Sequence, residues 1–165
     1  MRTINFFAPI NENSCNGLIN QIANTSDDIL IKFSSRGGDI DTSFYMYHYM
    51  QSLNRKVVIQ NVGNIASSSI VLFLAANTRI SCSHGLFLVH GLACTLTGQT
   101  TLKMLSNCSQ SLQHDIERYN SIWVQRTSSA KTQIDIMDTL CGGDEIILSA
   151  QNAKSAGLIS DICDS

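Results

Sequence analysis

Ser67 is the first residue of this sequence whose type and position could do acyl-transfer chemistry. It lies in the segment GNIASSS, residues 63–69, which follows a β-branched run and precedes an apolar run. A serine where a helix begins lies near unpaired backbone N–H groups, and the helix dipole stabilises negative charge that develops there. Serine is also common at such positions simply because it caps helices. On its own, Ser67 is better explained as a cap than as a nucleophile.

Two other strand ends carry residues that complement a serine nucleophile. Gly37 and Gly38 could expose consecutive N–H groups to a substrate carbonyl, although an ordinary turn is the commoner explanation of a glycine pair. His90 is the only one of the four histidines that ends a buried strand, which is where parallel α/β sheets place functional groups. The order Gly-Gly, Ser, His supplies an oxyanion hole, a nucleophile and a base, the minimal set for acyl transfer.

The elements that must position these residues can be predicted from the hydrophobic pattern. Short apolar runs alternate with segments of helical period, which predicts an α/β fold with crossover connections. The predicted strands are residues 4–8, 28–33, 56–62, 79–82, 86–90 and 144–148. The predicted helices are residues 11–23, 41–53, 66–76, 100–127, 132–140 and 149–157.

Length and composition exclude several classes of protein. The 165 residues fit a single domain, and a formal charge of −2 without Lys or Arg runs argues against nucleic-acid binding. The first residues lack the pattern of a signal peptide, and no apolar stretch is long enough to cross a membrane. The six cysteines form no C-x-x-C pair, so we expect no metal site. We also expect no cofactor. Without a signal-peptide pattern, we expect free thiols in a reducing cytoplasm rather than disulfides.

Several motifs in register resemble those of the Clp protease proteolytic-subunit family. SRGGDI at residues 35–40 is similar to that family's S-P-G-G-x-V, and VGNIASSS at 62–69 with FLAA at 73–76 is similar to its G-x-A-A-S-M-G…L-A-A. The matching continues through LVH at 88–90, GQ at 98–99, LSAQNA at 148–153 and AGLI at 156–159. The resemblance implies a Clp/crotonase-like spiral of β-β-α units with a long protruding handle helix.

The same resemblance implies a role for each candidate site residue. Ser67 would be the nucleophile and His90 the general base of a serine endopeptidase. The backbone N–H groups of Gly38 and Ser68 would form the oxyanion hole, with Gly37 giving that loop its shape. Ile40 would lie on the strand that pairs with an extended substrate.

The third member of the triad is where the sequence departs from the family pattern. The family has Asp four residues before the Ser of L-S-A, and here that position is Glu145. Asp144 precedes it and could serve with a small local shift, so we favour Glu145 slightly and keep Asp144 as the alternative. Arg36 replaces the usual Pro, and two further serines follow Ser67, so Ser67 is identified by register alone.

Partners and alternative functions follow from the resemblance. Family members cut peptides or unfolded proteins inside homo-oligomeric heptameric rings, commonly two face to face, and they engage an AAA+ unfoldase. Here the residues before Phe6 are too few for a propeptide or the axial loop that contacts the unfoldase, so the resemblance supports peptidase chemistry more directly than docking. The alternatives are a crotonase-type enzyme that binds acyl-CoA and a catalytically impaired ring subunit.

Overall fold

A computed structural model describes residues 1–130 and 132–163 of the chain. The strands are β1 (Arg2–Phe7), β2 (Ile29–Ser35), β3 (Val57–Ala66), β4 (Thr78–Cys82), β5 (Leu86–Val89), β6 (Ile146–Ser149) and β7 (Asp161–Cys163). The helices are α1 (Glu12–Ala23), α2 (Ile40–Gln51), α3 (Ser69–Leu74), α4 (Leu102–Arg126), α5 (Met137–Leu140) and α6 (Ala150–Ser155). The architecture is α/β, as the alternation of apolar runs and helical segments predicts.

The long strand β3 organises the sheet. Five strands run parallel in the order β1-β2-β3-β4-β7, and the first half of β3 lies between β2 and β4. The last three residues of β3 pair instead with β5, which continues into an antiparallel ladder with β6. The carboxyl ends of β2, β3 and β5 therefore meet, and each is followed by one of the predicted site segments.

Helix α4 is packed on the body of the protein along only part of its length. Ile116, Tyr119 and Trp123 in its second half are buried, and the Trp123 indole N–H donates to the Ile134 carbonyl at 3.0 Å. In its first turn, Leu102 and Leu105 are exposed. The apolar side chains at this end thus have no partner within the described part of the chain.

Two predicted helix boundaries are wrong, each because local hydrogen bonds override the pattern. The predicted helix 132–140 is reduced to α5, since the Thr132 N–H donates to the Ser155 carbonyl while the Ile134 carbonyl accepts from Trp123. The predicted helix 66–76 begins later, because Ala66 still pairs with β5. The other predicted elements are confirmed with end shifts of a few residues, and β7 is an additional strand.

The expectation that all six cysteines are free thiols is wrong for two of them. Cys94 and Cys108 form a disulfide across a separation of 14 residues, and the other four cysteines are free. Short cysteine spacings do not reveal this pairing, because α4 turns back toward the segment after His90 and brings Cys108 beside Cys94. Within residues 1–130 and 132–163, no cluster of side chains suited to a metal ion occurs, and no helix is long and apolar enough to cross a membrane.

The disulfide predicts a specific thiol count. Denatured but unreduced protein should react with Ellman's reagent at four thiols, and reduced protein at six, because a disulfide sulfur does not react. The double variant Cys94→Ser/Cys108→Ser is the control, and it should give the same count before and after reduction. A count of six in freshly isolated, unreduced protein would contradict the bond.

Candidate active site

A cavity of 470 Å³ opens where the carboxyl ends of β2, β3 and β5 meet. It brings together most of the residues predicted to act in catalysis. Those that line it are Gly38, Ile40, Ser67, Ser68 and His90. Glu145 and Asp144 are not part of its lining, so the structure gathers the predicted nucleophile, base and oxyanion loop around one cavity without the predicted acids.

Ser67 lies in the tight turn between β3 and α3. Its φ of 58° is in the left-handed region, which is sparsely populated for residues with a side chain. Its N–H donates to the Leu88 carbonyl at 2.9 Å, and its own carbonyl accepts from the Tyr119 hydroxyl at 3.1 Å. Complete burial raises the pKa of Tyr119, so the phenol stays protonated and remains a donor. The turn is therefore held from β5 on one side and from α4 on the other.

The three adjacent serines have different hydrogen bonding, which distinguishes the nucleophile candidate. The Ser69 hydroxyl is fully buried, and its single proton is shared between the Ala66 carbonyl at 2.6 Å and the Ser35 carbonyl at 3.0 Å. The Ser68 hydroxyl is buried against Gly38. Ser67 is only half-buried, and among the described residues its Oγ has no hydrogen-bond partner. Of these three serines, only Ser67 keeps a free hydroxyl beside the cavity, a chemical reason that the sequence did not supply.

The glycine pair closes tightly on the Ser67 turn. Gly37 has a φ of 91°, and a Cβ at that position would lie 2.6 Å from the Ser67 Cβ and 2.7 Å from the Ala66 carbonyl oxygen. The Gly38 N–H donates to the Ser68 Oγ at 3.0 Å, and the same hydroxyl donates to the Gly38 carbonyl at 3.1 Å. A predicted oxyanion donor is thus already engaged, whereas the Ser68 N–H has no acceptor among the described residues.

Ile40 lines the cavity but does not lie on a strand, which corrects that prediction. It is the first residue of α2. The Asp39 carboxylate accepts from the Thr42 N–H at 2.7 Å and caps the helix there. Extended pairing in this region is limited to the isolated parallel bridge between Gly38 and Ile10.

The His90 ring is oriented by a backbone group. Its Nδ1 lies 2.8 Å from the Gly91 carbonyl oxygen. Because a carbonyl oxygen can only accept, Nδ1 carries the proton in the neutral ring and Nε2 holds the free lone pair. That tautomer is the one a general base needs, although the described residues contain no hydrogen bond between His90 and the Ser67 hydroxyl.

The two candidate acids lie near the base in the fold without contacting it. β6 pairs antiparallel with β5, with Ile146 opposite Val89, so Glu145 continues the ladder at the level of His90. The ion pairs formed within residues 1–130 and 132–163 do not join His90 to Glu145 or Asp144. The Asp144 carbonyl instead accepts from the Thr139 hydroxyl at 2.7 Å. Among the carboxylates of residues 1–130 and 132–163, none is hydrogen-bonded to or ion-paired with the imidazole.

One face of α4 also lines the cavity, and the sequence analysis missed its contribution. Its lining residues are Cys108, Ser111, Leu112 and Asp115, with Tyr119 one turn further on. Their spacing of three and four residues places them on one helix face. That periodicity was visible in the sequence, but which face turns toward the cavity depends on how α4 packs.

Comparisons with known proteins show which fold and which family this chain shares. A solved structure of a mutant of ClpP1 from Listeria monocytogenes superimposes with a TM-score of 0.83 at 20% sequence identity, covering 99% of this chain and 92% of that one. At that identity the likeness shows the fold alone. A family model described as Clp protease matches residues 1–165, and the chain therefore belongs to the Clp protease family.

Proposed function

We propose that this protein is a serine endopeptidase that cuts unfolded or extended polypeptides, with Ser67 as nucleophile and His90 as general base. The observation that carries the proposal is the free Ser67 hydroxyl on its left-handed turn, facing the same cavity as His90 and the Gly37-Gly38 loop. Membership of the Clp protease family supports the reaction class.

The proposed reaction follows from the groups around the cavity. Ser67 Oγ attacks the peptide carbonyl carbon while its proton passes to His90 Nε2, and the protonated ring then gives that proton to the leaving amine. Water, activated by the same imidazole, cleaves the resulting ester and regenerates the serine. The Ser68 N–H is free to bind the oxyanion, and the Gly38 N–H can join it once the Ser68 hydroxyl turns away.

Covalent labelling tests the nucleophile directly. A serine-reactive phosphonate should modify the wild-type protein once, at Ser67, because that hydroxyl is free and lines the same cavity as the proposed base. Intact-mass and peptide mass spectrometry measure the adduct. Ser67→Ala should abolish labelling, while Ser106→Ala, an exposed serine on α4, should label normally. Labelling that persists in Ser67→Ala would refute the assignment, and absence of labelling in the wild type would favour the acyl-CoA alternative or an inactive subunit.

We propose Glu145 as the residue that completes the triad, because its position matches the family's acid and its strand lies beside β5. Glu145→Gln should lower kcat for a peptide substrate by about 10²–10⁴-fold, since the imidazolium loses its stabilising charge. The matched neighbour Asp144→Asn should have a much smaller effect. If neither variant nor the double variant changes peptide hydrolysis, the Gly91 carbonyl alone orients His90 and the assignment of an acid is wrong.

We further propose that the chain assembles into a homo-oligomeric heptameric ring, with an AAA+ unfoldase as a partner of that ring. The exposed Leu102, Met104 and Leu105 at the free end of α4 support a contact between copies, because these apolar side chains would be covered there. Sedimentation velocity at micromolar concentration should show a species several times the 18.1 kDa chain mass. Leu105→Glu should shift it toward smaller species, whereas the polar control Lys103→Glu should not. A wild-type protein that sediments only as a monomer would overturn the ring.

A further inference from the structure

Asp115 is an unusual residue to find in the wall of the candidate active site. Its side chain is 16% exposed, and it lies on the cavity-facing side of α4. Tyr119, one helical turn later, reaches the carbonyl of Ser67 at 3.1 Å. Because four residues of helix rise by about 6 Å, Asp115 lies about that far along α4 from Tyr119, in the wall of the cavity that Ser67 also lines.

The positive charge available to Asp115 is shared with a second carboxylate. Arg118 Nη1 lies 3.4 Å from an Asp115 oxygen and 3.9 Å from an oxygen of Asp41. The guanidinium is also stacked over the Phe44 ring, with its Cζ 3.7 Å from the ring centroid, which holds it in place. One arginine thus serves two carboxylates, and the group keeps a net negative charge.

The surroundings of Asp115 leave its charge incompletely compensated. Burial, followed by the Asp41 carboxylate, raises the pKa of Asp115 against the opposing effects of Arg118 and His114. A further cation beside the Asp115 carboxylate would be stabilised, because Arg118 does not fully compensate the negative charge of Asp115 and Asp41. Asp115 pairs with Arg118, and within residues 1–130 and 132–163 no hydrogen bond or ion pair joins it to His90, so its position differs from that of a triad acid.

The rest of the cavity has the chemistry expected around a long cationic side chain. Asp39 and Asp115 are the carboxylates of its lining, and no Lys or Arg is among the described residues that form it. Ile40, Leu92 and Leu112 supply apolar surface between them, suited to the methylene stem of such a side chain. Its 470 Å³ lies within the range of about 300–1,000 Å³ usual for ligand pockets.

We propose that this cavity binds a lysine or arginine side chain adjacent to the scissile bond, with Asp115 as the residue that determines this specificity. The inference rests on the proposed peptidase function and names its substrate class. The alkyl stem packs on the apolar wall, and the cationic head pairs with the Asp115 carboxylate away from bulk water.

Two measurements on the full chain test this specificity. The first compares kcat/KM for matched fluorogenic peptides that carry Lys, Arg, norleucine or Glu next to the scissile bond. The wild-type enzyme should favour Lys and Arg over norleucine, and Asp115→Asn should reduce that ratio by about tenfold or more. The asparagine is isosteric and keeps a hydrogen-bond acceptor for Arg118. Glu117→Gln, an exposed carboxylate two residues away, controls for the loss of one negative charge from the same helix.

The second measurement is binding of benzamidine by isothermal titration calorimetry to wild-type, Asp115→Asn and Glu117→Gln proteins. Benzamidine binding that is lost only in Asp115→Asn supports the cationic subsite. If no peptide is cleaved and Ser67 is not labelled, the proposed peptidase function is refuted, but such binding would still support the subsite. Preference for norleucine, or a Lys-to-norleucine ratio unchanged in Asp115→Asn, would overturn the inference. If no peptide is cleaved, the inference is also overturned when benzamidine does not bind the wild-type protein, or binds Asp115→Asn with the same affinity.

Discussion

The left-handed backbone of Ser67 is the constraint on which the rest of the site depends. Such a conformation costs a residue with a side chain about 1–3 kcal/mol, so neighbouring contacts must hold it. The Leu88 carbonyl of β5 and the Tyr119 hydroxyl of α4 do so through hydrogen bonds, and Gly37 allows the loop after β2 to pass close by. Three separate elements thus contact one turn, and the long helix α4 is hydrogen-bonded directly to Ser67.

Some polar side chains around this turn are used in hydrogen bonds that hold the fold, and others remain free to react. Ser69 and Ser68 use their hydroxyls to join the start of α3 to the end of β2 and to Gly38, and Ser67 is left with a free one. His90 receives its tautomer from the Gly91 carbonyl rather than from a carboxylate. The free Ser67 hydroxyl and the oriented His90 ring are thus each held by backbone contacts, without a hydrogen bond that joins the two side chains among the described residues.

Much of this could be predicted from the sequence because it depends on order along the chain. Strand ends followed by Gly-Gly, Ser and His specify which edge of a parallel sheet they share, so it could be predicted that Gly38, Ser67 and His90 lie around one cavity. Ile40 was misplaced because a strand was carried over by resemblance where Asp39 caps a helix. The Cys94–Cys108 bond and the Asp115–Arg118–Asp41 group could not be predicted, since both depend on the direction in which α4 returns over the cavity.

The reciprocal hydrogen bonds between Ser68 and Gly38 affect how the proposed peptidase distinguishes ground state from transition state. A neutral substrate carbonyl that approaches the Gly38 N–H must displace a neutral hydroxyl of similar acceptor strength, so it gains little. A tetrahedral oxyanion, whose charge makes its hydrogen bonds roughly twice as strong, displaces the same hydroxyl with a net gain. In the proposed peptidase, Ser68 would therefore compete with the substrate for the Gly38 N–H, which would weaken substrate binding more than stabilisation of the intermediate and so favour turnover over affinity.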